Sequence, residues 1–139
     1  MKFSWLSRVL LLAVLSVSIY SCDKDDPTPT PQEPIVAGKG GMTTLRIVPI
    51  HDSINIDSCT VYLKYNSLDM PSSFDDSVYC TWDGTQYRAL FPGLKRGNYF
   101  IYAKGWDVVR SQKTFGYLYH VITDTMVYHT IKLEQRVQQ

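Results

Sequence analysis

The sequence has no surplus of charge, few cysteines, no apolar run of bilayer length and no stretch of helical period. Each lack removes a class of protein. Net charge over the 139 residues is +1, and with Lys2 and Arg8 set aside, 12 basic side chains stand against 13 acidic ones. A balanced chain lacks the basic field that holds nucleic acid, so no nucleic-acid partner is expected. The three cysteines, Cys22, Cys59 and Cys80, form no C-x-x-C pair and no Cys/His cluster, which leaves no zinc site and no cofactor to expect. The apolar run from Val9 to Ile19 is 11 residues long, against about 20 for a helix that spans a bilayer. His51, His120 and His129 have no ligand-like spacing, and no G-x-S-x-G joins a serine to them. They read as core or surface histidines: His51 begins the turn HDSINID, His120 alternates outward beside Tyr119, and His129 shares parity with Val127 and Ile131. No enzyme is expected.

What is present is apolar and aromatic. Hydrophobic residues make up 45% of the chain, with ten tyrosines and three tryptophans, a composition that packs a core. Residues 1–21 have the order of a secretory signal: a basic start, the apolar run, then Tyr20 and Ser21 before Cys22. The end of this signal resembles the lipobox of bacterial lipoproteins, with Ile19 three residues before the cysteine and Ser21 just before it. Tyr20 is bulky for the middle position. The resemblance implies a diacylglyceryl thioether on Cys22, which becomes the first mature residue, and stable anchoring in a membrane by more than one acyl chain. CDKDD, from Cys22 to Asp26, is similar to the acidic export signal of Bacteroidota lipoproteins. That similarity implies a lipid-anchored protein on the outer membrane, facing the cell exterior.

Residues 22–41 form the lipidated tether. DPTPTPQEPIVAGKGG carries its prolines early and its glycines late, which gives extended polyproline II and then a free turn into the domain. From Met42 to Glu134 the pattern changes to short alternating runs between turn residues, and 135–139 is left as a tail. Leu45 and Ile47 share one face of TLRIVPI, and Cys59, Val61, Leu63 and Tyr65 share one face of SCTVYLKYN. Asp83-Gly84 predicts a two-residue hairpin with Trp82 opposite Thr85, Cys80 opposite Tyr87 and Val78 opposite Ala89. That register puts Val78, Cys80, Trp82, Tyr87 and Ala89 on a single face. With further strands at NYFIYAKGW, FGYLYHVI and MVYHTIKLE, the sequence predicts an all-β fold, a two-sheet sandwich of about seven strands.

FPGLKRGNYFIYAKGWD, from Phe91 to Asp107, resembles the F-x-G-L-x-x-G-x-Y motif of transthyretin-like (prealbumin-like, or carboxypeptidase regulatory-like) sandwiches. Phe91 ends one strand inward, Gly93 and Gly97 turn the chain, Leu94 plugs the end of the core and Tyr99 begins the next strand. The resemblance speaks for the fold and says nothing about activity. An immunoglobulin arrangement is disfavoured, because Trp82 follows the second of Cys59 and Cys80 instead of lying between them.

Three groups of residues are candidates for function. Cys59 and Cys80 fall on inward faces of an exported chain, where they either form a bridge or remain two buried thiols. Tyr62, Phe100, Tyr102 and Tyr128 oppose the core parity, so they form either an adhesive surface for a protein or a sugar ring, or cross-strand aromatic pairs. Asp52-Ser53, Asp76-Ser77 and Asp124-Thr125, each followed by an aliphatic residue, resemble the O-glycosylation acceptor of the Bacteroidota, which would place sugars on Ser53, Ser77 and Thr125. The chain therefore reads as a non-enzymatic, lipid-anchored envelope lipoprotein acting as a binding or assembly module. Glycan capture in nutrient uptake and a fimbrial accessory role are its two alternatives.

Overall fold

The structure, a computed structural model, describes residues 34–123 and 127–139. The signal, Cys22, most of the tether and Thr125 lie outside the described residues. Among the described residues ten strands follow one another: β1 (Lys39–His51), β2 (Ile54–Asn55), β3 (Ser58–Tyr65), β4 (Asp76–Tyr79), β5 (Thr81–Trp82), β6 (Tyr87–Leu94), β7 (Gly97–Asp107), β8 (Gln112–Ile122), β9 (Tyr128–Glu134) and β10 (Arg136–Val137). Seven have four residues or more, and β2, β5 and β10 have two each. No described helix is long and apolar enough to cross a membrane.

The strands form two sheets. In the first, β1 is central: it pairs antiparallel with β6 and β2 and parallel with β9, while β5 extends β6. The second sheet is antiparallel throughout, in the order β10-β8-β7-β3-β4. Alternation along the strands sends Leu45, Ile47, Ala89, Phe91 and Leu133 from the first sheet against Cys59, Val61, Leu63, Tyr99, Ile101 and Ala103 from the second. Strand side chains alternate faces with period two, so the same alternation that marks these strands in the sequence builds one core between two layers.

The fold takes in residues from both sides of the expected domain. The compact unit runs from Pro34 to Gln139. Ala37 is buried and donates its N–H to Asn66 Oδ1 at 2.8 Å, and Gln135, past the expected end of the domain, is buried as well. The motif residues do what their pattern predicts: Phe91, Leu94 and Tyr99 are fully buried. The Tyr99 hydroxyl donates to Lys95 O at 2.7 Å and accepts from Gly38 N at 3.0 Å, which ties the β6–β7 turn to the chain entering β1.

The expected Asp83-Gly84 hairpin has a different register. Trp82 pairs with Tyr87 and Thr81 with Arg88, so the loop holds the four residues 83–86. Asp83 causes this: its Oδ1 accepts from Thr85 N at 2.8 Å, Thr85 Oγ1 at 2.7 Å and Gln86 N at 2.9 Å, and its own N–H donates to Gln86 O at 3.1 Å. A side chain that caps three donors favours the wider loop over a tight turn. Val78 and Cys80 do not pair with β6. Val78 pairs with Val61 in the other sheet, and the chain crosses between sheets at Cys80. Val78, Tyr87, Cys80 and Ala89 still pack in the core, whereas Trp82 is 56% exposed.

Candidate functional site

The outer face of the second sheet carries an aromatic surface that its register assembles residue by residue. Tyr62 lies opposite Tyr102, which lies opposite Tyr117, and Lys104 lies opposite Phe115. Phe74, from the long connection between β3 and β4, folds over this face: its ring is 5.2 Å from Tyr62 and stacks on Tyr102 at 5.7 Å. Tyr62 and Tyr102 are themselves 6.0 Å apart, and Lys104 Nζ sits 5.4 Å over the Tyr62 ring. Aromatic neighbours at such distances hold one another in fixed orientation.

Two open grooves flank this cluster. The larger, about 680 Å³, is lined by Met70, Tyr102, Phe115 and the C-terminal residues Arg136, Val137, Gln138 and Gln139. Gln138 N donates to Lys113 O at 2.9 Å, and Arg136 and Val137 pair with Phe115 and Thr114, so the β10 wall is hydrogen-bonded to the sheet. The smaller, about 450 Å³, is lined by Tyr62, Phe74, Asp75, Asp76 and Ser77. Together they offer ring faces from the floor with guanidinium, amide, carboxylate and hydroxyl groups around them, the mixture that fixes a polar ligand having some apolar surface.

The sequence candidates divide among three places. Tyr62 and Tyr102 lie together at the grooves. Phe100 shares their face by parity, but it is only 3% exposed and its ring stacks on Tyr117 at 5.7 Å, so it supports the surface from beneath and does not present itself to a ligand. Tyr128 is 72% exposed on β9 of the first sheet and belongs to a different surface. Phe74, Phe115 and Arg136 were missed. The alternation of FGYLYHVI could have given Phe115, but nothing local in the β3–β4 connection or after β9 says which sheet face those segments approach. Ser53 is exposed in the β1–β2 turn with φ of 68°, and Ser77 is exposed on β4.

No family model matches the chain, no curated protein matches it and no solved structure matches it. The reading of its site therefore stands on its own geometry.

The histidines fall into two arrangements away from the grooves. His51 is buried at the end of β1, its Nδ1 2.7 Å from Asp107 Oδ2, with Asp52 Oδ2 4.0 Å from its Nε2. Arg110 joins both carboxylates, at 3.3 Å from Asp52 and 3.4 Å from Asp107. The hydrogen bond from His51, with those from Arg110, holds the Asp107 carboxyl below its usual range. The knot ties the β1–β2 turn to the β7–β8 turn. It leaves His51 only 5% exposed. His120 corrects its expected outward direction: it lies opposite the inward Tyr99, and Tyr119 is the exposed neighbour. Its ring stacks on His129 at 4.5 Å, bridging the two sheets, and burial followed by the His129 charge pushes its pKa down. Among the described residues no group of three or more His, Cys, Asp or Glu could hold a metal ion.

Proposed function

We propose that the chain is a lipid-anchored lipoprotein of the outer membrane, facing the cell exterior, which binds glycans non-enzymatically on the outer face of its second sheet. The observation that carries the reading is the groove floored by Tyr102 and Phe115 and edged by Arg136, Gln138 and Gln139. Ring faces stack on the C–H faces of a sugar, and guanidinium and amide groups donate to its hydroxyls. The lipobox resemblance around Cys22 supports the anchor. The burial of Phe91, Leu94 and Tyr99 supports a transthyretin-like assignment of the sandwich.

The test presents the detergent-solubilised chain to a panel of soluble polysaccharides and follows tryptophan and tyrosine emission. Saturable quenching that is lost in Tyr102→Ala and Phe115→Ala is the expected result, and a flat response across the panel removes the glycan reading. Cys22→Ser tests the anchor separately. It should release the chain from the membrane fraction, and retention there would sink the lipoprotein assignment.

An accessory role in an assembly is a second reading, favoured by β9, whose only strand partner among the described residues is β1. An open strand edge is where another chain adds a strand. Co-purification with a polymer supports it, and a strictly monomeric protein counts against it.

A further inference from the structure

Cys59 and Cys80 are free thiols in the structure, both buried. The sequence could not say whether they meet, and the register does. Thr60 pairs with Tyr79 and Val61 with Val78, so one step further along the ladder sets Cys59 opposite Cys80. Cys80 N–H donates to Cys59 O at 2.8 Å, which continues the pairing to that step. Opposed residues of an antiparallel pair have Cα atoms about 4.5–5.5 Å apart, inside the roughly 4.4–6.8 Å that a disulfide spans. Both side chains belong to the buried core cluster.

The surroundings make the two sulfurs unequal. Gln135, itself buried, donates from Nε2 to Cys59 Sγ at 3.1 Å, while its Oε1 accepts from Thr114 Oγ1 at 2.5 Å. The hydroxyl thus fixes the amide with its donor end on Cys59. The hydrogen bond from the Cys80 thiol, helped by Gln135 and opposed by burial, lowers the pKa of Cys59, and the same thiol pairing with burial raises that of Cys80. Donors aimed at one sulfur favour its thiolate, the nucleophilic form.

We propose that Cys59 and Cys80 are a redox pair that closes into a cross-strand disulfide between β3 and the β4–β5 crossover, with Cys59 as the attacking sulfur. The oxidant is a small-molecule or protein disulfide. Cys59 gives up its proton to water and attacks one sulfur of that disulfide, whose S–S bond breaks and releases one half as a thiolate. Cys80 then gives up its proton and attacks the Cys59 sulfur, which expels the second half. The pair loses two electrons and two protons, and the oxidant leaves as two thiols. The oxidant would enter at the crossover, where β5 is only two residues long and pairs with β6 through Thr81 and Trp82. Closure joins the two ends of the excursion that brings Met70 to the large groove and Phe74 to the small one, so the oxidised protein holds those walls in place.

The experiment incubates the reduced full chain with oxidised glutathione, quenches with N-ethylmaleimide under denaturing conditions and maps tryptic peptides. Cys59 lies in the peptide 47–64 and Cys80 in 65–88. The expected result is a dithiothreitol-sensitive species linking these two peptides, with loss of maleimide label from both. Separate labelling of both cysteines, or glutathione on each without linkage, overturns the pair. In single variants, Cys80→Ala should trap glutathione on Cys59 about tenfold or more faster than Cys59→Ala traps it on Cys80. Equal rates overturn the assignment of Cys59 as attacker.

Discussion

The carboxamide of Asn55 makes the rung of the first sheet that Pro49 leaves open. Two residues beyond the Ile47–Ala89 pair, Pro49 has no N–H to offer Tyr87. Asn55 Oδ1 accepts from Tyr87 N at 2.6 Å, and Asn55 Nδ2 donates to Tyr87 O at 3.0 Å and to Pro49 O at 2.9 Å. A proline in a central strand is ordinarily excluded because its neighbour's carbonyl is left unpaired. Here a side-chain amide reproduces the missing peptide group. Asn55→Ala should therefore lower stability by about 2–3 kcal/mol, roughly 1 kcal/mol for each bond. Urea unfolding measures it, and a loss below about 0.5 kcal/mol, the range of a neutral surface change, would show that water replaces the amide without cost.

The Asp107–His51 contact makes stability depend on acid. A carboxyl whose folded pKa lies below its unfolded value, about 3.9, contributes fully above that value and loses its contribution as pH falls through the folded pKa. Asp107→Asn should be less stable than the parent at pH 7, with the two urea midpoints converging below about pH 4. A gap that stays constant down to pH 2.5 would assign the effect to packing and not to charge.

His120 acts in a different window. Burial and His129 favour its neutral form, so the folded pKa lies under the unfolded value of about 6.5. Its contribution is complete above that value and falls away as pH drops through the folded pKa. Thermal midpoints of His120→Phe should decline less between pH 7.5 and 5 than those of the parent. Parallel curves would mean that the stacked pair does not report on acid.

Gly97 and Gly84 both have positive φ, 140° and 101°, but only one is crowded. A Cβ on Gly97 would lie 2.7 Å from Ala37 N, and one on Gly84 would meet nothing within 4 Å. Backbone strain is common to both substitutions, so the contact separates them. Gly97→Ala should cost at least about 2 kcal/mol and Gly84→Ala about 1 kcal/mol. Equal losses would show that the segment holding Ala37 moves aside freely.

Much of the fold was legible because strand patterning is local. Alternation in TLRIVPI and SCTVYLKYN gave the inward faces of β1 and β3, and the Phe91–Tyr99 spacing gave the plug and the turn. The hairpin failed at one side chain: Asp83 bonds forward to Thr85 and Gln86, and the dipeptide rule does not weigh that. The aromatic surface was half legible. Parity placed Tyr62 and Tyr102 correctly, but it could not see that Phe100 would be covered or that Tyr128 would lie on the other sheet.

By itself the sequence determined the two-layer β class, the inward direction of both cysteines and the anchors of the β6–β7 turn, because each follows from neighbours within a few residues. Tertiary structure alone decided which strands meet. It moved the chain from one sheet to the other at Cys80, set Cys80 opposite Cys59, brought Asp107 to His51 and folded Phe74 over Tyr102. Those pairings join residues far apart in the chain, and their energy appears only once the loops between them have been closed and a shared core has excluded water.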